Sequence, residues 1–205
     1  MSKINTIIFD LGGVLINWDP KRLYRKIFDS EEKVNWFLDN ICTMDWNEQQ
    51  DAGRPITEAN KILIAKHPAY KEEIEAYYGR WIEMLDGSKQ GTVEILQYFA
   101  QDPTYEIYAL TNWSAETFPF AQERFEFLKW FKGILVSGEE GIKKPSKEIY
   151  ELLLYRYEID PAASVFIDDS LRNVKAAITA GIPSIHFISP EELEAELGKL
   201  GIGLR

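Results

Sequence analysis

Five short apolar runs, at residues 6–10, 107–111, 134–137, 165–168 and 184–188, constrain the fold more than any other feature of this chain. Each is rich in Ile, Val, Phe or Tyr and is bounded by turn-forming or charged residues. Runs that are apolar on both faces need cover on both faces, which helices on either side of a parallel sheet supply. Helical patterns separate the later runs, at residues 89–100, 115–131, 147–158 and 171–180, and a last amphipathic helix at 190–200 starts from the capping residue Ser189. This alternation predicts an α/β protein with a doubly wound, parallel five-stranded sheet.

Residues 19–85 break the alternation, showing helical periodicity and no convincing strand. Asp19-Pro20 is a helix start, a capping carboxylate followed by proline at the first helical position. Further helices are expected at 31–41, at 57–66 with Thr57 as the cap, and at 70–84 beyond Pro68. The chain therefore divides into a core, 1–16 plus 87–205, and a helical lid, 17–86, inserted after the first strand, with hinges near 16–19 and 86–88. A length of 205 residues suits a core domain with a smaller inserted lobe.

Chemistry-bearing residues fall at strand ends, where parallel sheets place ligands. Asp10 closes a run of large apolar residues and is followed by Gly12 and Gly13, whose backbone can approach a ligand closely. Thr111 and Asn112 end the second run, and each can bind a phosphate oxygen. Lys143 and Lys144 follow the third run, and Asp168 and Asp169 end the fourth. Adjacent carboxylates repel each other unless a cation or hydrogen bonds stabilise them. With Asp10 beside them they form a hard-oxygen site suited to Mg²⁺.

A net charge of −10 argues against a nucleic-acid binder, which needs a basic surface. The single cysteine, Cys42, cannot form an internal disulfide and reads as a half-buried helix residue. No signal peptide and no segment of membrane-spanning length is evident, so a cytoplasmic location is expected, away from membranes.

In order, Phe9-Asp10-Leu11-Gly12-Gly13-Val14-Leu15, Leu110-Thr111-Asn112, Lys144-Pro145 and Phe166-Ile167-Asp168-Asp169-Ser170 resemble the four motifs of the haloacid dehalogenase superfamily. The resemblance covers nearly the whole chain. The helical insertion is similar to that superfamily's α-helical cap on a Rossmannoid core. Within the superfamily the chain looks most like α-glucose-1-phosphate phosphatases and the phosphatase domain of soluble epoxide hydrolases. The resemblance implies that Asp10 is a nucleophile forming an aspartyl-phosphate. It implies that Thr111, Asn112 and Lys144 hold the phosphoryl oxygens. It implies a Mg²⁺ on Asp10, the Gly12 carbonyl and Asp169, with Asp168 supporting the metal's water shell. Lys144 is preferred to Lys143 because the family's lysine directly precedes the proline, which leaves Lys143 to solvent. The expected enzyme is a Mg²⁺-dependent phosphatase of a small phosphorylated metabolite, a sugar phosphate above all, acting as a monomer or weak dimer.

One departure stands out. Most phosphatases of the superfamily carry a second aspartate two residues after the nucleophile, which moves the proton, and here that position is Gly12. Glycine cannot move a proton, and general acid–base catalysis is worth roughly 10²–10⁴-fold. Two other readings therefore stay open: a metal-independent 2-haloacid dehalogenase, and a phosphate-ligand binder with weak turnover. Asp45 and Glu48 are the residues that a missing acid would suggest in the lid, although nothing in the sequence places them near Asp10. Trp18, Trp46 and Trp81 are its large aromatics, and Arg22 and Arg25 lie at its entrance.

Overall fold

The computed structural model describes residues 3–204. Strands β1 (Thr6–Phe9), β4 (Glu106–Thr111), β5 (Gly133–Val136), β6 (Ser164–Asp168) and β7 (Ser184–His186) form a parallel sheet in the order β5-β4-β1-β6-β7. The two faces of β1 explain its composition. Ile7 and Phe9 pack into one apolar cluster with Ile107, Ala109, Val165 and Ile167, while Ile8 packs into another with Tyr108, Leu110, Leu135 and Phe166. Alternate residues thus serve opposite faces, and both faces are dry, as the apolar runs require. Helices α6 (Gln90–Gln101), α9 (Lys147–Arg156), α10 (Leu171–Thr179) and α11 (Pro190–Lys199) cover the sheet, and Ser189 caps α11 by accepting from the Glu192 N–H at 3.2 Å.

Register decides where the chemistry goes. Phe9 pairs with Ala109 on one side and Ile167 on the other. Asp10 is the next residue along, so it lies level with Asp168 and Leu110 at the carboxyl edge of the sheet. The Asp10 N–H donates to the Ile167 carbonyl at 2.8 Å, which extends the ladder one residue past the strand and fixes its direction.

Between β1 and β4 the chain forms helices α1 (Lys21–Tyr24), α2 (Glu31–Asn40), α3 (Met44–Asp51), α4 (Ile56–Lys66) and α5 (Lys71–Gly79), with short 3₁₀ turns at Pro68–Tyr70 and Trp81–Met84. They share an aromatic core of Tyr24, Phe28, Phe37, Trp46, Tyr77 and Tyr78. Cys42 is buried here rather than half-buried, and burial pushes its thiol up to about 12, so it is inert at neutral pH.

Several local expectations need correction. The two segments leading into and out of the helical insertion pair as an antiparallel ribbon, β2 (Ile16–Trp18) with β3 (Leu85–Ser88), where no strand was expected. Thr57 does not cap α4. The helix begins at Ile56, whose N–H donates to the Glu116 carboxylate of the core at 2.7 Å. The helix expected over 115–131 is two pieces, α7 (Phe118–Arg124) and a 3₁₀ segment Glu126–Trp130, joined by an extended Phe125. A straight helix would place Phe127 about 180° around the axis from Phe118, at 100° per residue. Both are buried, so the chain bends to bury both. The helix expected over 70–84 likewise stops at Gly79 and resumes as the 3₁₀ turn. The final short helix is α8 (Ser137–Glu140), directly after β5.

Candidate active site

The ends of β1, β4 and β6 meet around one buried ammonium, which the loop after α8 brings in. Lys144 is fully buried, and its Nζ lies 2.9 Å from Asp10 Oδ1, 2.7 Å from Asp168 Oδ2 and 2.9 Å from the Leu110 carbonyl. Burial works against its charge, but Asp10 and Asp168 more than offset this and raise its pKa. It is therefore a permanent cation held under the site.

Asn112 holds that lysine in place. Its Nδ2 donates to the Lys144 carbonyl at 3.0 Å and its Oδ1 accepts from the Lys144 N–H at 2.8 Å. Asp168 is fully engaged as well. It accepts from Lys144, from the Ser170 N–H at 2.7 Å and from the Asn173 amide at 3.1 Å. Thr111 is fully buried, and its hydroxyl has no partner among the described residues. An orphaned hydroxyl is costly, and a bound group would relieve it.

The charges in this cluster do not balance. Asp10, Asp168 and Asp169 each bring a carboxylate oxygen within 4.8 Å of the others, with one lysine between them. Burial first, and then repulsion from Asp168 and Asp169, pushes Asp10 up to about 8 despite Lys144. Burial and Asp168 also raise Asp169. Among the described residues no cationic side chain pairs with Asp169, so a divalent cation fits the deficit. Asp10, Asp169 and the adjacent Gly12 line one cavity and would hold it.

The unfolded chain titrates Asp10 near 3.8, so between about pH 4 and pH 8 the metal-free fold binds the extra proton. Its stability should therefore fall as pH rises across this window. Urea midpoints of chelated protein should be higher near pH 5.5 than near pH 8, and Mg²⁺ should shrink the difference by stabilising the ionised form. A chelated midpoint that rises from the lower pH to the higher would refute this charge balance.

Gly13 makes the site possible. It adopts φ +76°, and a Cβ there would collide with the Asp169 carboxylate. Gly13→Ala is expected to cost about 1–2 kcal/mol of stability through the backbone alone. It should also displace Asp169, so thermal stabilisation by Mg²⁺ should be lost. Unchanged Mg²⁺ stabilisation in the folded variant would count against that role for Asp169. Gly12 differs. Its φ is not positive and a Cβ there meets nothing within 4 Å, so neither backbone nor space demands glycine.

Above these residues lies a cavity of about 250 Å³. Its floor is Asp10, Gly12, Gly13, Asn112 and Asp169 from the core, and its roof is Met44, Asn47, Glu48 and Asp51 of α3, with Trp18, Trp81, Trp113 and Arg172 around the sides. Thr111, Lys144 and Asp168 sit beneath this floor, fully buried.

The helical insertion is fastened over the floor by Glu48, which forms ion pairs with both Lys143 and Arg172 of the core. Lys143, expected in solvent, instead pairs with Glu48 of the insertion. Burial would raise the Glu48 pKa, but hydrogen bonds from the two cations outweigh it and keep the carboxylate ionised.

The other lid residues divide. Trp18 and Trp81 line the cavity, their ring centroids 5.5 Å apart. Trp46 instead packs between Tyr77 and Tyr78. Asp45 is exposed and outside the cavity. Arg22 pairs with Asp86, and Arg25 with Glu31, away from the site. Sequence reading missed Asn47, Asp51, Trp113 and Arg172. Only Arg172 carried a signal, three residues beyond Asp169 at the start of α10.

The chain is similar to known proteins in both sequence and fold. A family model described as haloacid dehalogenase-like hydrolase matches residues 4–181. A sesquiterpene phosphatase of Aspergillus oryzae is 27% identical over 179 residues, 87% of this chain and 87% of its own. A phosphorylated carbohydrates phosphatase of Thermotoga maritima is 24% identical over 185 residues, 89% of this chain and 84% of its own. A HAD family enzyme of Bacteroides thetaiotaomicron, solved as the wild-type protein with magnesium and inorganic phosphate, superposes with a TM-score of 0.68 at 25% identity, covering 91% of this chain and 95% of that one.

Proposed function

Given that the chain belongs to the haloacid dehalogenase-like hydrolases, we propose that it is a Mg²⁺-dependent phosphatase of a small phosphorylated metabolite, acting through an aspartyl-phosphate on Asp10. The observation that carries this reading is the excess of carboxylates over lysine at Asp10, Asp168, Asp169 and Lys144. A metal-independent dehalogenase would leave those negative charges uncompensated beside an anionic substrate.

The roles follow from the contacts. Asp10 Oδ1 is held by Lys144 Nζ and by the Leu11 N–H at 2.7 Å, so Oδ2 is the attacking atom. In-line attack on phosphorus breaks the bond to the leaving oxygen, and water then hydrolyses the acyl phosphate. Lys144 balances the charge on Asp10. Thr111 offers its unpartnered hydroxyl to a phosphoryl oxygen. Asn112 keeps Lys144 in register and faces the phosphoryl group from the cavity floor. Asp10, the Gly12 carbonyl and Asp169 hold the metal, and Asp168 buttresses them through Lys144. The bound cation supplies charge neutralisation for the transferring phosphoryl group. Residues 17–86 act as a lid over the core, 1–16 plus 87–205, with Glu48 as its latch and the β2–β3 ribbon as its hinge.

The walls bear on the substrate body. Trp18, Trp81, Trp113 and Met44 present ring faces and a thioether, which suit a sugar ring or an apolar group. The relatives' names span both chemistries, terpenoid and carbohydrate. The test is phosphate release from an aryl phosphate, a panel of sugar phosphates and a prenyl phosphate, with Mg²⁺ or with chelator. Metal-dependent release from any of them supports the reading, and the panel ranks the substrate bodies. No release from any of them, even from the aryl ester whose leaving group needs no acid, would retire it.

A further inference from the structure

The chemistry above lacks a proton donor at Gly12, and the cavity contains another. We propose that Asp51, on α3 of the helical insertion, is the general acid and base of this enzyme, an assignment that rests on the phosphatase reading. As P–O cleavage leaves an electron pair on the leaving oxygen, the Asp51 carboxyl gives that oxygen its proton. The resulting carboxylate then takes a proton from water as the water oxygen attacks phosphorus. Inorganic phosphate leaves, and both Asp10 and protonated Asp51 are restored, so protons and charges balance over the cycle.

Four carboxylates line the cavity: Asp10, Glu48, Asp51 and Asp169. Asp10 is the nucleophile, and Asp169 belongs to the cation site. Glu48 is ionised and committed to Lys143 and Arg172. Asp51 has no ion pair among the described residues. It is 8% exposed, and its one side-chain hydrogen bond comes from the Asn47 amide at 3.3 Å. A cavity of about 250 Å³ holds one small ester, so a substrate seated on Asp10 in the floor has Asp51 over it in the roof.

The surroundings of Asp51 suit a carboxyl that carries a proton near neutrality. Burial, then the neighbouring Glu48, pushes it up to about 7, while Lys143, Lys144 and the Ser114 backbone pull the other way. An acid poised there can both give and accept a proton at working pH. Because α3 is held down by the Glu48 pairs, the acid meets the substrate only with the lid closed, which ties proton transfer to closure.

The test compares Asp51→Asn with the wild type, with Mg²⁺, on one alkyl and one aryl phosphate. The variant should lose roughly 10²–10⁴-fold in kcat on the alkyl ester, whose alkoxide must be protonated to leave. On the aryl ester the loss should stay below about tenfold, since a phenolate leaves without help. An equal loss on both esters, as displacement of the lid would give, or no loss on the alkyl ester, would overturn the assignment. The wild-type pH profile needs no variant. The ratio of alkyl to aryl turnover should fall as pH rises through about 7, and a flat ratio would also overturn it. A wild type that releases no phosphate from either ester fails earlier and removes the phosphatase reading itself, so the two failures are distinguishable.

Discussion

Replacing Lys144 with methionine is expected to lower the stability of the metal-free protein by about 3–5 kcal/mol at neutral pH, the usual cost of removing one partner from a buried ion pair. Methionine keeps the unbranched stem and is one heavy atom shorter, so little of the loss is cavity. What remains is the Asp168 carboxylate in a buried site with its cation gone, beside an Asp10 carboxyl that burial pushes up to about 8. Asp168 keeps the Ser170 and Asn173 hydrogen bonds, but Asp10 keeps only the Leu11 N–H. The loss should shrink as pH falls through about 8, because a protonated Asp10 does not need the ammonium. It should also shrink with Mg²⁺, which can replace part of the missing charge. Urea unfolding of chelated protein at two pH values measures both effects. A variant within about 1 kcal/mol of the wild type at neutral pH would show that Lys144 does not carry the electrostatics of the site.

Asp10→Asn should behave oppositely, abolishing activity while sparing the fold. Removing a nucleophile that acts as part of a unit costs roughly 10⁴-fold or more in kcat. Stability should stay level or rise, since Asp10 ionises only near 8 in the metal-free fold, and the amide removes a carboxylate that the site holds at a cost. Lys144 retains Asp168. Phosphate release and a thermal melt on the same preparation decide the matter. Full activity in the variant would exclude an aspartyl-phosphate. Loss of activity together with loss of fold would contradict the electrostatic account.

Glu48 and Asp51 lie on the same helix, three residues apart, with opposite fates. Glu48 reaches two core cations and stays ionised, whereas Asp51 lines the cavity with no ion pair among the described residues. Lid attachment and proton transfer can therefore be separated by mutation, although one helix carries both.

The sequence by itself determined the sheet and the floor of the site. Ile7, Ile8 and Phe9 are apolar on both faces, so β1 had to be a covered strand in a parallel sheet. Asp10, Lys144, Asp168 and Asp169 end or follow such strands, and strands of one parallel sheet end on the same edge. Their convergence follows from local pattern and topology alone. The roof does not. Helix α3 buries Asn47, Gln50 and Asp51, polar residues that weaken its apolar periodicity, so the pattern passed over it. The β2–β3 ribbon is only three and four residues long, and it pairs Ile16 with Ser88 and Trp18 with Leu85, residues far apart in the chain. The capping of α4 by Glu116 joins insertion to core, and so does the cavity that Asp51 and Asp10 both line. Such contacts depend on how two independently patterned units pack, and no periodicity within either unit encodes that. Tertiary structure alone therefore decided that an aspartate 41 residues beyond the nucleophile stands where Gly12 supplies none.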